Sequence, residues 1–161
     1  DTYFVAAWDD TNLYFGTVAL QSAADELPLS RLPQDSMEIF KDHDHLEVML
    51  DTNYDRNSFF QCCWNFKGSK WDFAYSAPRV AVDWSPVWEV TTEAQHNAFI
   101  SELAIPLSEL GGAKPKPGDI WGFTLARQQS AASGAVRYTI WSEYFRGDFL
   151  KPGLWSILKF E

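Results

Sequence analysis

Arg137 and Trp141 fall at i and i+4 in the run VRYTIWS, and strand alternation puts both on one face with Thr139. Gln61 and Asn65 share a face of SFFQCCWNF in the same way. Glu102 lies opposite Phe99, Leu103 and Ile105, and Arg127 closes its strand beside Gln128 and Gln129. These residue types have one chemistry in common. An indole plane covers the apolar C–H face of a ring, while amides, carboxylates and guanidinium groups bond to hydroxyls on its rim. If the strands are neighbours, they build a polar sheet face with a Trp platform, suited to a neutral hydroxylated ring such as a sugar.

Other chemistries find less support. The chain has no G-x-S-x-G, no Walker loop, no H-E-x-x-H and no C-x-x-C. Its acidic residues single out no pair of the kind a glycosidase needs. Asp51-x-Asn53-x-Asp55 has calcium-loop spacing, but Arg56 stands where the loop needs Gly and Cys62 where it needs Glu. A plain hairpin turn is the better reading. Asp9 and Asp10 form an oxygen-rich turn, and Asp44 with Glu47 offers a second carboxylate pair. His43 and His45 would share a face in a strand, in reach of a transition metal.

The elements that must position these groups are strands. The 161 residues are 46% hydrophobic and 16% aromatic, with eight Trp, which exceeds what packing alone needs. One domain spanning 1–161 is expected. A net charge of −9 disfavours nucleic acid and anionic membrane surfaces as partners. No apolar run approaches the roughly 20 residues of a membrane span. Cys62 and Cys63 are adjacent, point to opposite faces of a strand and read as reduced thiols.

Taken in order, strands are expected over 2–8, 13–20, 46–50, 58–66, 71–75, 80–84, 87–90, 99–105, 120–127, 136–142 and 155–160. Asp9-Asp10-Thr11-Asn12 turns the first hairpin. Residues 80–84 and 87–90 read as a pair around Ser85-Pro86. Residues 21–45 form a long polar excursion. Leu107 to Leu110 suffices for one helical turn, and Lys114 to Asp119 is a stiff Pro-Gly turn. The fold expected is an all-β antiparallel sandwich.

Residues 101–127, SELAIPLSELGGAKPKPGDIWGFTLAR, resemble the C-terminal half of family 9 carbohydrate-binding modules and their DOMON-like relatives. AAWDDTNLYFGTVAL, DHDHLEVMLD, WNFKGSKWD and the closing IWSEYFRGDFLKPGLWSILKFE are similar to further phrases of that family. The family has another strand before the first hairpin, which is missing here or outside the chain. The resemblance implies a β-sandwich that clamps a terminal sugar between two Trp rings. Trp141 is the first choice for a clamp and Trp71 the second, with Trp84, Trp88 and Tyr144 open.

The expectation is therefore a non-catalytic module that holds a polysaccharide or oligosaccharide. Its ligand residues would be Trp141, Trp71, Asn65, Gln61, Glu102, Arg127 and Arg137. It would be secreted or extracellular, in the periplasm or at the cell surface, and tethered to a catalytic domain. The resemblance implies structural calcium in some members of the family; Asp9, Asp10, Asp44 and Glu47 could supply its ligands, beside the plainer reading of solvated loops, and no other cofactor is expected. Two rivals stand beside this reading. One is a haem-binding redox domain using Met37 or Met49 with one of three His; the other is a structural partner that binds nothing.

Overall fold

The computed structural model describes residues 1–161 except 28–29, 42–43, 77–79, 113, 131–134 and 143–148. Eleven strands form among them: β1 (Thr2–Trp8), β2 (Asn12–Leu20), β3 (His45–Asp51), β4 (Phe59–Asn65), β5 (Lys70–Ser76), β6 (Val80–Val82), β7 (Glu89–Gln95), β8 (Ala98–Pro106), β9 (Ile120–Ser130), β10 (Val136–Ile140) and β11 (Ser156–Lys159). A four-stranded sheet runs β1-β2-β8-β7, and a seven-stranded sheet runs β10-β9-β3-β4-β5-β6, with β11 also on β9. Every strand pair is antiparallel. The fold is the expected sandwich.

Alternation decides which side of each strand meets the core. In β2, Leu13, Phe15, Thr17 and Ala19 are buried, and in β8 so are Phe99, Ser101, Leu103 and Ile105. Leu46, Val48 and Leu50 of β3 and Trp121, Phe123 and Leu125 of β9 face them from the other sheet. Rings lock the two layers together. Phe15 stacks on Phe123 with centroids 5.6 Å apart, and Phe66 stacks on Phe99 at 3.8 Å. Burying each such ring stabilises by about 1.5–3 kcal/mol.

One expected pairing does not form. β6 joins β5 in the seven-stranded sheet, whereas β7 joins β8 in the other. The segment between them crosses the sandwich. Trp88 drives the crossing: its ring is 1% exposed in the core, and its indole N–H donates to Asp72 at 3.0 Å. Local pattern marks two short strands there, but only the partner of Trp88 decides their sheets.

The turns follow side-chain chemistry. Asp9 accepts the backbone N–H groups of Thr11 (2.7 Å) and Asn12 (2.8 Å) and the Tyr14 hydroxyl. In the Pro-Gly turn, Gly118 adopts φ 99°, which a side chain would resist. Its N–H donates to the Phe160 carbonyl at 2.7 Å and so ties down the C-terminal strand. The expected helical turn is a 3₁₀ turn over Leu107–Glu109.

Candidate functional site

The outer face of the seven-stranded sheet carries an unusual set of side chains. Register aligns them in rows. Tyr138, Gln128 and His45 form one row, Ala126, Glu47, Cys63 and Trp71 the next, and Thr124, Met49, Gln61 and Phe73 a third. Glu47 sits at the centre. One carboxylate oxygen lies 3.1 Å from His45 Nε2, and the other accepts from Gln61 Nε2 at 2.5 Å. A polar residue in mid-strand would normally face water. Here His45, Glu47, Gln61, Thr124 and Gln128 are all buried, so their hydrogen bonds must be made inside the protein.

Aromatic rings wall this polar floor. Trp71 and Phe73 lie two apart on β5, and their rings are parallel, 5.5 Å between centroids. Phe40, in the 3₁₀ turn Met37–Phe40, stands edge-on to Trp71 at 4.8 Å and to His45 at 5.3 Å. Farther along, Met49, Phe59, Ala126 and Trp155 form a separate small core that fixes the other end. Trp71 and Phe73 remain half-buried and Tyr138 is exposed. The arrangement presents ring faces beside a carboxylate whose orientation is set by two neighbours. That combination can stack on an apolar ring face and accept hydrogen bonds from its hydroxyls.

The two cysteines do no chemistry here. Both are free and buried, on opposite sides of the sheet as alternation requires. Burial pushes both thiols well above their ordinary range, with Asp72 adding to this for Cys62 and Glu47 for Cys63. Neither is a ready thiolate nucleophile.

Of the remaining expected ligand residues, Asn65 lies on this face in register with His45, whereas Glu102, Arg127, Arg137 and Trp141 do not. Glu102 lies on the exposed outer side of the four-stranded sheet, in register with Gly16 and Thr91. Asn65 is spent on the chain itself. It accepts the N–H groups of Lys67 and Ser69 at 3.0 Å each and donates to the Ser30 carbonyl. Arg127 points into the sandwich. It binds Asp44 (3.2 Å), the Leu20 carbonyl (3.0 Å) and Gln21 (3.2 Å). Burial pulls its pKa down, and Asp44 beside it opposes that.

Trp141 and Arg137 belong to a cleft at the sheet edge, with Thr139 and Gln129. Trp141 and Trp71 therefore sit on opposite sides of one sheet, with three strands between theirs, or about 19 Å. They cannot clamp one ring. Trp88 is core, and Trp84 donates its indole N–H to the Glu109 carbonyl at 2.9 Å. Tyr144 and His43 lie outside the described residues.

The residues expected to hold calcium do not fit it. Asp44 and Glu47 face opposite sides of the sheet, one toward Arg127 and the other toward Gln61. Asp9 is filled by N–H and hydroxyl donors, which hold its carboxyl well below the usual range. Asp10 is exposed beside it. In the Asp51–Asp55 turn, backbone N–H groups of Asp55 and Arg56 occupy the Asp51 carboxylate, as a plain turn predicts. Among the described residues, metal-type ligand atoms converge only at Asp25, Glu26 and His96, all exposed.

His45, Phe40 and Phe73 join the site although sequence reasoning did not assign them to it. The alternation WDFAY in β5 carried the signal for Phe73. Phe40 had none, because its place depends on how the 21–45 excursion folds back.

Comparison with known proteins identifies the family and the fold. The family model described as carbohydrate family 9 binding domain-like matches residues 1–158. A family 9 carbohydrate-binding module from Caldicellulosiruptor kristjanssonii, solved with cellotriose, aligns with a TM-score of 0.68 and 22% identity, covering 100% of this chain and 75% of that one. The same module solved with glucose aligns equally well, with 76% of its chain covered. A proposed carbohydrate-binding protein from Bacteroides uniformis aligns with a TM-score of 0.75 at 12% identity, covering 100% of this chain and 78% of that one. Among curated proteins none matches the chain.

Proposed function

The chain belongs to the carbohydrate family 9 binding domain-like family, and from that premise we propose that it is a non-catalytic module that binds a neutral saccharide on the outer face of its seven-stranded sheet. One observation supports the placement. Glu47 is held between His45 and Gln61 on the same sheet face as the Trp71–Phe73 ring surface, with β4 between them. Trp71 and Phe73 supply the stacking face. Glu47 and Gln61 supply hydrogen bonds to ring hydroxyls, and His45 keeps Glu47 in place. Similarity to a module solved with cellotriose and glucose supports a glucose-based ligand.

The test is a titration of intrinsic Trp fluorescence with cellotriose, repeated on Glu47→Gln. This substitution keeps the size of the side chain and removes the charge that receives the sugar hydroxyls. Losing a charged hydrogen-bond acceptor weakens binding by about tenfold or more. A saturable change in the wild type, weakened that far in Glu47→Gln, is expected. Equal affinity in the two proteins, or no response from the wild type to cellotriose or to a panel of neutral glycans, would overturn the reading.

A further inference from the structure

The two sheets differ in width, and the mismatch leaves a second cleft. On this side the four-stranded sheet ends at β1, while β9 and β10 of the wider sheet stand opposite its edge. The inward-facing residues there form a ledge walled by Thr2, Tyr3 and Phe4, around a cavity of about 360 Å³. That volume lies within the roughly 300–1,000 Å³ of small-molecule sites.

Three features of the ledge point to one ligand class. Trp141 is 59% exposed although it sits in a fixed place: its ring stands edge-on to Phe4 at 4.9 Å, and its backbone N–H donates to the Leu125 carbonyl at 2.8 Å. The ring face is therefore open and preorganised. Gln129 and Thr139 lie in register with Arg137 and Arg127 and offer neutral hydrogen-bonding groups. The charge is unbalanced. Arg127 and Arg137 both line the cleft; Asp44 compensates Arg127, and among the described residues none pairs with Arg137. Asp1 is the one carboxylate among the described lining residues.

We propose that this cleft is a second saccharide site, one that takes an acidic sugar, with a uronate ring on Trp141 and a carboxylate on Arg137. Four residues of strand separate the two groups, about 13 Å, which suits stacking of one ring and capture of a neighbouring ring's carboxylate. A guanidinium meets a carboxylate through two parallel N–H donors, a geometry that no neutral sugar can use. The site shares no residue with the outer-face floor and stands or falls independently of it.

Calorimetric titration of the intact domain with a linear trimer of galacturonic acid, and with its methyl ester, tests the proposal. The wild type should bind the acid with saturable heat and the ester about tenfold more weakly. Arg137→Gln should lose about tenfold for the acid and abolish the preference for it. Arg137→Lys should restore part of the loss, and Trp141→Ala should weaken both ligands. Glu47→Gln should leave these affinities unchanged, which separates this site from the outer face. Arg137 and Trp141 are exposed, so circular dichroism should show unaltered folding. No saturable binding of the acid, equal affinity for acid and ester, or a loss caused by Glu47→Gln and not by Arg137→Gln would overturn it.

Discussion

Asp72 shows what a single buried carboxylate does in this sandwich. It is 7% exposed and accepts the Trp88 indole N–H. Burial raises its pKa above the ordinary 3.8, and Asp35 adds to the rise, against the Trp88 bond and Lys70. A carboxyl with a raised folded-state pKa binds its proton more readily in the folded protein than in the unfolded one. Its ionisation therefore lowers stability as pH rises through that pKa. Asp72→Asn keeps an oxygen for Trp88 and removes the charge. Thermal melts should show the variant more stable than the wild type at neutral pH, with the difference closing below about pH 4, where both states of the wild type are protonated. A gap that widens in acid would contradict this. At this scale the sequence was partly legible. It marked Trp141 as a surface ring among Trp64, Trp88 and Trp121, which are all buried. It could not show that the Asn65 amide nitrogen is taken by the Ser30 carbonyl, 35 residues away.

Between elements, Arg127 is a clasp. It sits on β9 and reaches across the sandwich to the Leu20 carbonyl at the end of β2, while Asp44 balances its charge just before β3. Gln129 joins the cluster through Gln21. Removing one member of a buried ion pair leaves the other uncompensated, which costs about 3–5 kcal/mol. Asp44→Asn should therefore lower unfolding free energy by that order in urea, while Glu102→Ala, on an open sheet face, should change it by less than about 0.5 kcal/mol. Comparable effects from the two would contradict the clasp. Strand positions were legible from alternation, as in β2, β8 and β9, because one face of each is core. The destination of β6 and β7 was not, since sheet choice is decided by Trp88 and its distant partner Asp72. The shared-face arrangement failed for the same reason. Arg127 and Arg137 face the inner side of the sheet and Gln61 and Asn65 the outer, a relation set by the register of β10, β9, β3 and β4, and non-local pairing leaves no mark in a local pattern.

The whole molecule is a family 9 binding-domain sandwich whose wider sheet does two things. Its outer face carries a buried polar floor beside aromatic walls, and its overhanging edge carries an exposed indole and a guanidinium with no partner among the described residues. The central claim is that the outer face holds the neutral sugar. Amide chemical-shift mapping during a cellotriose titration tests it most directly. The account predicts shifts centred on Glu47, Gln61, Trp71 and Phe73, with Glu102 and Arg137 unmoved. Shifts confined to the β1–β10 cleft, or spread over the four-stranded sheet, would contradict it.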